Sequence, residues 1–99
     1  MLIILGTVRL PPQNIGSARA AMEAMIAASR AEDGCLDYAY SVDLLDPGLV
    51  RVTEIWRDRK ALDAHFKAAH LATWRAAWPA LEISDRKLSL YRADESTPI

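Results

Sequence analysis

Hydrophobic and polar positions switch between two periods along the chain, and the switches mark its elements. Leu2 to Leu10 is rich in Ile, Leu and Val and stops at Pro11-Pro12, which cannot donate to a ladder, so it predicts a first strand. Leu2, Ile4 and Val8 share one face and Ile3 and Leu5 the other, leaving this strand apolar on both sides. Asn14 or Ser17 suits the cap of a helix running to about Ala31, in which Ile15, Ala18, Met22, Met25, Ile26 and Ser29 form one stripe at spacings of three and four. Glu32-Asp33-Gly34 closes it, Gly34 being fitted to a left-handed cap. Cys35 to Asp43 alternates as a second strand, with Leu36, Tyr38, Tyr40 and Val42 on one face. After the turn residues Asp46-Pro47-Gly48, Leu49 to Arg57 returns as a third strand with Val50, Val52, Glu54 and Trp56 on one face.

Asp58 suits the cap of a second helical segment whose inward stripe is Leu62, His65, Phe66 and Ala69, with Asp63 spaced to pair with Lys67. A further helical piece, about Leu71 to Trp78, carries Leu71, Trp74 and Trp78, and Pro79 marks its end or a kink. The last strand lies within Asp85 to Arg92, with Leu88 and Leu90 on one face. Residues 1–93 then form one domain and 94–99 a loose tail. The order βαββαβ predicts an α+β fold: a four-stranded antiparallel sheet with both helices on one face and the first and third strands central. A first strand apolar on both sides needs cover on the uncovered face, and a second copy of the chain is the economical cover.

Composition narrows the functions. Ninety-nine residues, 52% hydrophobic and 25% charged, make an ordinary small globular chain, and a domain of this size buries only somewhat more than about 60% of its unfolded surface. Twelve basic against thirteen acidic side chains argue against nucleic-acid and anionic-membrane partners, which recruit through excess positive charge. No run approaches a membrane span, and the apolar start lacks the basic flank of a signal peptide, so a cytoplasmic protein is expected. The single cysteine, Cys35, reads as a small strand residue rather than a nucleophile.

Two positions stand out chemically. Glu54 shares a face with Val50, Val52 and Trp56, where a carboxylate must be paired, hydrogen-bonded or raised in pKa; a structural pair and a pocket role are both open. His65 lies on an apolar stripe, where a satisfied core histidine is the plainer alternative to a site residue. His70 is about 140° further round a continuous helix, so no metal site is expected of the two. Tyr38, Tyr40, Trp56, Trp74 and Trp78 serve equally as core or as walls of an aromatic pocket for a planar phenolic substrate. No phosphate loop, Ser-His-Asp pattern or CxxC is present.

Glu32-Asp-Gly-Cys-Leu36, Tyr38, Asp46-Pro47, Glu54-Ile-Trp56, Ala61-Leu62 and the stretch from His65 to His70 together resemble the antibiotic biosynthesis monooxygenase family over residues 1–92. The resemblance implies a ferredoxin-like fold paired through its sheets into a dimeric α+β barrel, with a pocket in each protomer between sheet and helices. It also implies cofactor-independent oxidation of a small quinol or polycyclic phenol by O2. On this sequence it points to His65 or His70 as base or anion stabiliser, to Tyr38, Trp56 and Trp74 as pocket walls, and to Glu54 as a pairing or orienting group. A haem-degrading branch uses a first-strand asparagine plus a tryptophan and a histidine in the second helical region. Thr7 and His65 stand near those positions here, so haem chemistry is not expected. Isomerases, cyclases and non-catalytic ligand-binding dimers share the architecture and remain the alternatives.

Overall fold

The computed structural model describes residues 1–99. In chain order the elements are β1 (Leu2–Arg9), α1 (Ile15–Arg30), β2 (Cys35–Val42), β3 (Leu49–Trp56), α2 (Arg59–Phe66), α3 (Ala69–Ala76), α4 (Trp78–Leu81) and β4 (Ser84–Arg92), with a 3-10 turn at Pro12–Asn14 leading into α1. The strands pair antiparallel in the order β2-β3-β1-β4, which makes β1 and β3 central as the sequence predicts. Leu2, Ile4, Tyr38 and Trp56 of the sheet join Met25 of α1, Leu62 of α2 and Leu71 and Trp74 of α3 in one buried cluster. The helices therefore cover a single sheet face, in a ferredoxin-like α+β arrangement. No helix is long and apolar enough to cross a membrane.

The open face carries large apolar side chains among polar ones, Arg51, Thr53, Lys87 and Ser89. Leu5, on the central strand β1, is 45% exposed, and Tyr91, which lies in register with Ile3, is 53% exposed. Several local signals are realised as read: Gly34 takes a φ of 81°, and the Asp58 side chain accepts from the Ala61 amide at 2.9 Å to cap α2.

Four expectations change. Cys35 and Asp37 oppose consecutive residues of β3, so Leu36 is the extra residue of a bulge; Cys35 packs against the core, and Leu36 is exposed instead of sharing the face of Tyr38. The inward stripe of the second helical segment stops early, because the chain leaves the helix at Lys67 and Ala68 is extended. Phe66 is then exposed and Ala69 begins α3. Asp63 pairs with Arg59 at 2.9 Å, one turn earlier, rather than with Lys67. Asn14 stands at the start of α1 without capping it; its amide donates across the fold to the Leu81 carbonyl at 2.9 Å and to Glu82 Oε2 at 3.2 Å.

Candidate active site

Period-two alternation aims Tyr38 and Tyr40 of β2, Glu54 of β3 and Ile4 and Val8 of β1 at the helices, and these residues floor a pocket. His65 and Phe66 of α2, Leu71 and Arg75 of α3 and Trp78 roof it, and Arg86 and Leu88 of β4 close its side. The inner chamber is only about 20 Å³, room for one water molecule. Phe66, Leu71, Arg75 and Arg86 also line an adjoining vestibule of about 370 Å³, completed by Ala72, which opens to the surface. The vestibule has the size of a small-ligand pocket and the chamber does not.

Glu54 sits at the inner end, 5% exposed. The Trp56 indole donates to its Oε1 at 3.0 Å, which answers the need for a partner that the sequence raises. Burial pushes the Glu54 carboxyl above the usual carboxylate range, against the opposing pull of Trp56, His65, Arg86 and Arg75. Burial likewise lifts Tyr38 far above an ordinary phenol, so its hydroxyl stays protonated, and it raises the Cys35 thiol, in keeping with an inert strand residue.

His65 is 1% exposed, with Nε2 3.9 Å from Glu54 Oε1 and Nδ1 2.6 Å from Glu32 Oε2. The same Glu32 oxygen lies 3.1 Å from His70 Nε2. An ionised carboxylate only accepts hydrogen bonds, so both imidazoles donate to it. In the neutral tautomer that donates from Nδ1, His65 keeps Nε2 as its free acceptor, on the side of the pocket residue Glu54, 3.9 Å from its Oε1. The arrangement is that of a carboxylate-oriented imidazole, able to take a proton from a group in the chamber.

Tyr38, Glu54 and His65 thus meet at the pocket. His70 lies outside it, on the far side of Glu32, and Trp56 and Trp74 lie behind the lining in the core, Trp74 with its indole nitrogen unpaired. Tyr40 and Trp78, candidate pocket walls in the sequence, do line it, while Glu32, Phe66, Arg75 and Arg86 join the site without having been singled out for it there. The break between α2 and α3 also removes the separation that a continuous helix would impose on the two histidines. Glu32, His65 and His70 place one donor atom each within 4.8 Å, the set in this fold that could hold a divalent cation. Their 2.6 and 3.1 Å contacts are hydrogen-bond distances.

The family model for antibiotic biosynthesis monooxygenases matches residues 1–77. The fold is similar to the crystal structure of a candidate antibiotic biosynthesis monooxygenase from Deinococcus radiodurans, with 31% identity, a TM-score of 0.90 and coverage of 100% of this chain and 98% of that one. The structure of Rv0793 from Mycobacterium tuberculosis is similar at 28% identity and a TM-score of 0.77, covering 97% of this chain and 98% of that one. In sequence, Rv0793, named as a candidate monooxygenase, is 38% identical over 65 residues, which is 66% of this chain and 63% of the relative. The uncharacterised Synechocystis protein sll1783 is 25% identical over 95 residues, 96% of this chain and 65% of the relative. The chain thus spans just under two thirds of the length of these two curated relatives.

Proposed function

The chain belongs to the antibiotic biosynthesis monooxygenase family, and on that premise we propose that it oxidises a small quinol or polycyclic phenol with O2, without a cofactor. The observation that carries this reading is the His65 imidazole, whose Nδ1 is engaged by Glu32 while Nε2 is left to accept a proton in the pocket. Loss of the phenolic proton to Nε2 leaves an electron-rich anion that passes an electron to O2. The radical pair joins carbon to oxygen, and the resulting hydroperoxide loses water to give a quinone. One oxygen atom enters the ring and the other leaves as water together with the phenolic and ring hydrogens. The chain contributes a base, an orienting carboxylate and a nearly dry chamber.

The test is O2 consumption with a panel of naphthols and hydroquinones in the absence of added cofactor. The expected result is one O2 consumed per quinone formed, with labelled O2 leaving one labelled oxygen in the quinone. Uptake no faster than in buffer would overturn the reading. Conversion of substrate under anaerobic conditions would favour an isomerase or cyclase, and ligand-induced stabilisation without turnover a binding module.

The open sheet face is proposed to pair with that of a second copy, which would bury Ile3, Leu5 and Tyr91. Light scattering on the eluting protein should give twice the chain mass at micromolar concentration. Leu5→Asp, placing a charge on the central strand of that face, should give a folded monomer; a monomeric parent protein would sink the pairing.

A further inference from the structure

We infer that the substrate carries an anionic group, a carboxylate, held by Arg75 and Arg86 in the vestibule while its phenolic end points to His65. This inference rests on the proposed oxidation only for the direction in which the substrate lies. Two of the five vestibule residues are arginines and none is acidic, while the other three, Phe66, Leu71 and Ala72, are apolar. The two guanidiniums come from different elements, α3 and β4, so their convergence is a tertiary arrangement rather than a local charge run.

Neither is tied up in a close pair. Arg9, Arg19, Arg51, Arg57 and Arg59 each pair with an acidic side chain, and Arg30 donates to the Tyr38 carbonyl. Arg75 and Arg86 make no hydrogen bond and no close ion pair; Arg75 lies over the Trp78 ring, 5.6 Å from its centroid, and the nearest acid sharing their pocket, Glu54, is buried at its inner end and held by the Trp56 indole. Arg86 follows Asp85, a non-glycine residue with a φ of 52°, at a bulge in the pairing of β1 with β4. Arg86 is the second residue of that bulge; it lies two residues before Leu88 and reaches the pocket side of an edge strand. Inward charges on edge strands also discourage strand-to-strand aggregation, but that role would show no preference among ligands.

A guanidinium binds a carboxylate through two parallel N–H···O bonds, and an apolar vestibule holding two such cations suits the acid end of an aromatic acid. The phenol must then lie at the opposite end of the ring system, toward the chamber where Glu54 and His65 sit.

The experiment is isothermal calorimetry at low salt with 2-naphthol and 6-hydroxy-2-naphthoate, which differ only by the carboxylate. The naphthoate should bind about tenfold more tightly or better. In Arg75→Gln/Arg86→Gln the ratio should collapse to within about twofold, while Arg92→Gln, which changes another unpaired arginine, keeps it. Thermal melts establish that each variant is folded. Equal affinity of the parent protein for the two compounds, absence of binding by both, or a preference that survives the double substitution would overturn the inference. Preferential binding without O2 uptake would overturn the oxygenase reading alone, whereas O2 uptake with 2-naphthol at equal affinities would overturn the carboxylate alone.

Discussion

His65→Ala is expected to lower kcat/KM for the proposed O2-dependent phenol oxidation by about 10²–10⁴-fold, the range that a positioned base contributes. Nε2 faces the chamber, and the 2.6 Å contact of Nδ1 with Glu32 fixes which nitrogen is free. Glu32→Gln is therefore the sharper variant. Its amide can donate to Nδ1, which moves the imidazole proton to Nε2 and removes the lone pair from the pocket without removing the ring. A loss approaching that of His65→Ala, with an unchanged melting temperature, is the expected signature of an orienting carboxylate. His70→Ala should cost far less, because it removes one of two donors to Glu32 and nothing from the pocket.

Glu54 supplies the pH dependence. Its Oε1 lies 3.9 Å from His65 Nε2, so when ionised it stabilises the imidazolium formed as the substrate loses its proton. Burial lifts the Glu54 carboxyl above its usual range, so kcat/KM should rise with pH across that raised value, and Glu54→Gln should abolish this limb. Stability runs the other way. With the folded value above the unfolded one, the folded chain holds more protons in the interval between them, and Glu54 costs stability as pH rises through it. A kinetic limb that survives Glu54→Gln would assign it to another group. Equal activity of the His65 and His70 alanine variants would take histidine out of the mechanism.

The features legible in the sequence are those governed by local period and cap chemistry. Val50, Val52, Glu54 and Trp56 are all buried, as strict alternation on a central strand requires, and Asp58 and Gly34 act where their backbone chemistry places them. The missed features arise where a register slips. Nothing in Cys35-Leu36-Asp37 announces the bulge that turns Leu36 out, since both Cys and Leu suit a strand core. Lys67-Ala68-Ala69-His70 contains no Gly or Pro, yet the helix breaks there, and that break brings His70 round to Glu32. Glu32 itself reads as a helix terminus, and its use as the carboxylate between two imidazoles is set by tertiary packing. Arg86 was open to the same alternation that pairs Leu88 with Leu90; a charge on an apolar face is the signal that marks it.

The largest stability effect is expected at Gly6, which faces Leu88 across the pairing of β1 with β4. A Cβ built there would overlap the Lys87 carbonyl oxygen and come within 2.7 Å of both Leu88 Cα and Leu88 Cδ2. Two of those three atoms are backbone, so relief requires the strand to move, not a side chain to rotate. Gly6→Ala should therefore cost about 3 kcal/mol, at the upper end of overpacking penalties, and lower the melting temperature by roughly 15 °C. Gly16 is the matched control, with nothing within 4 Å of its would-be Cβ near the start of α1. Gly16→Ala should leave stability unchanged or raise it by about 0.5–1 kcal/mol, since alanine loses less backbone freedom on entering a helix. The contrast reaches the site, because β4 carries Arg86 and Leu88 and closes the pocket side. If Gly6 is what lets β4 lie close to β1, Gly6→Ala should also erode the preference for carboxylated ligands below its melting temperature. A Gly6→Ala protein that melts within two or three degrees of the parent would mean that β4 shifts at little cost, and the position of Arg86 would then not be held by the sheet.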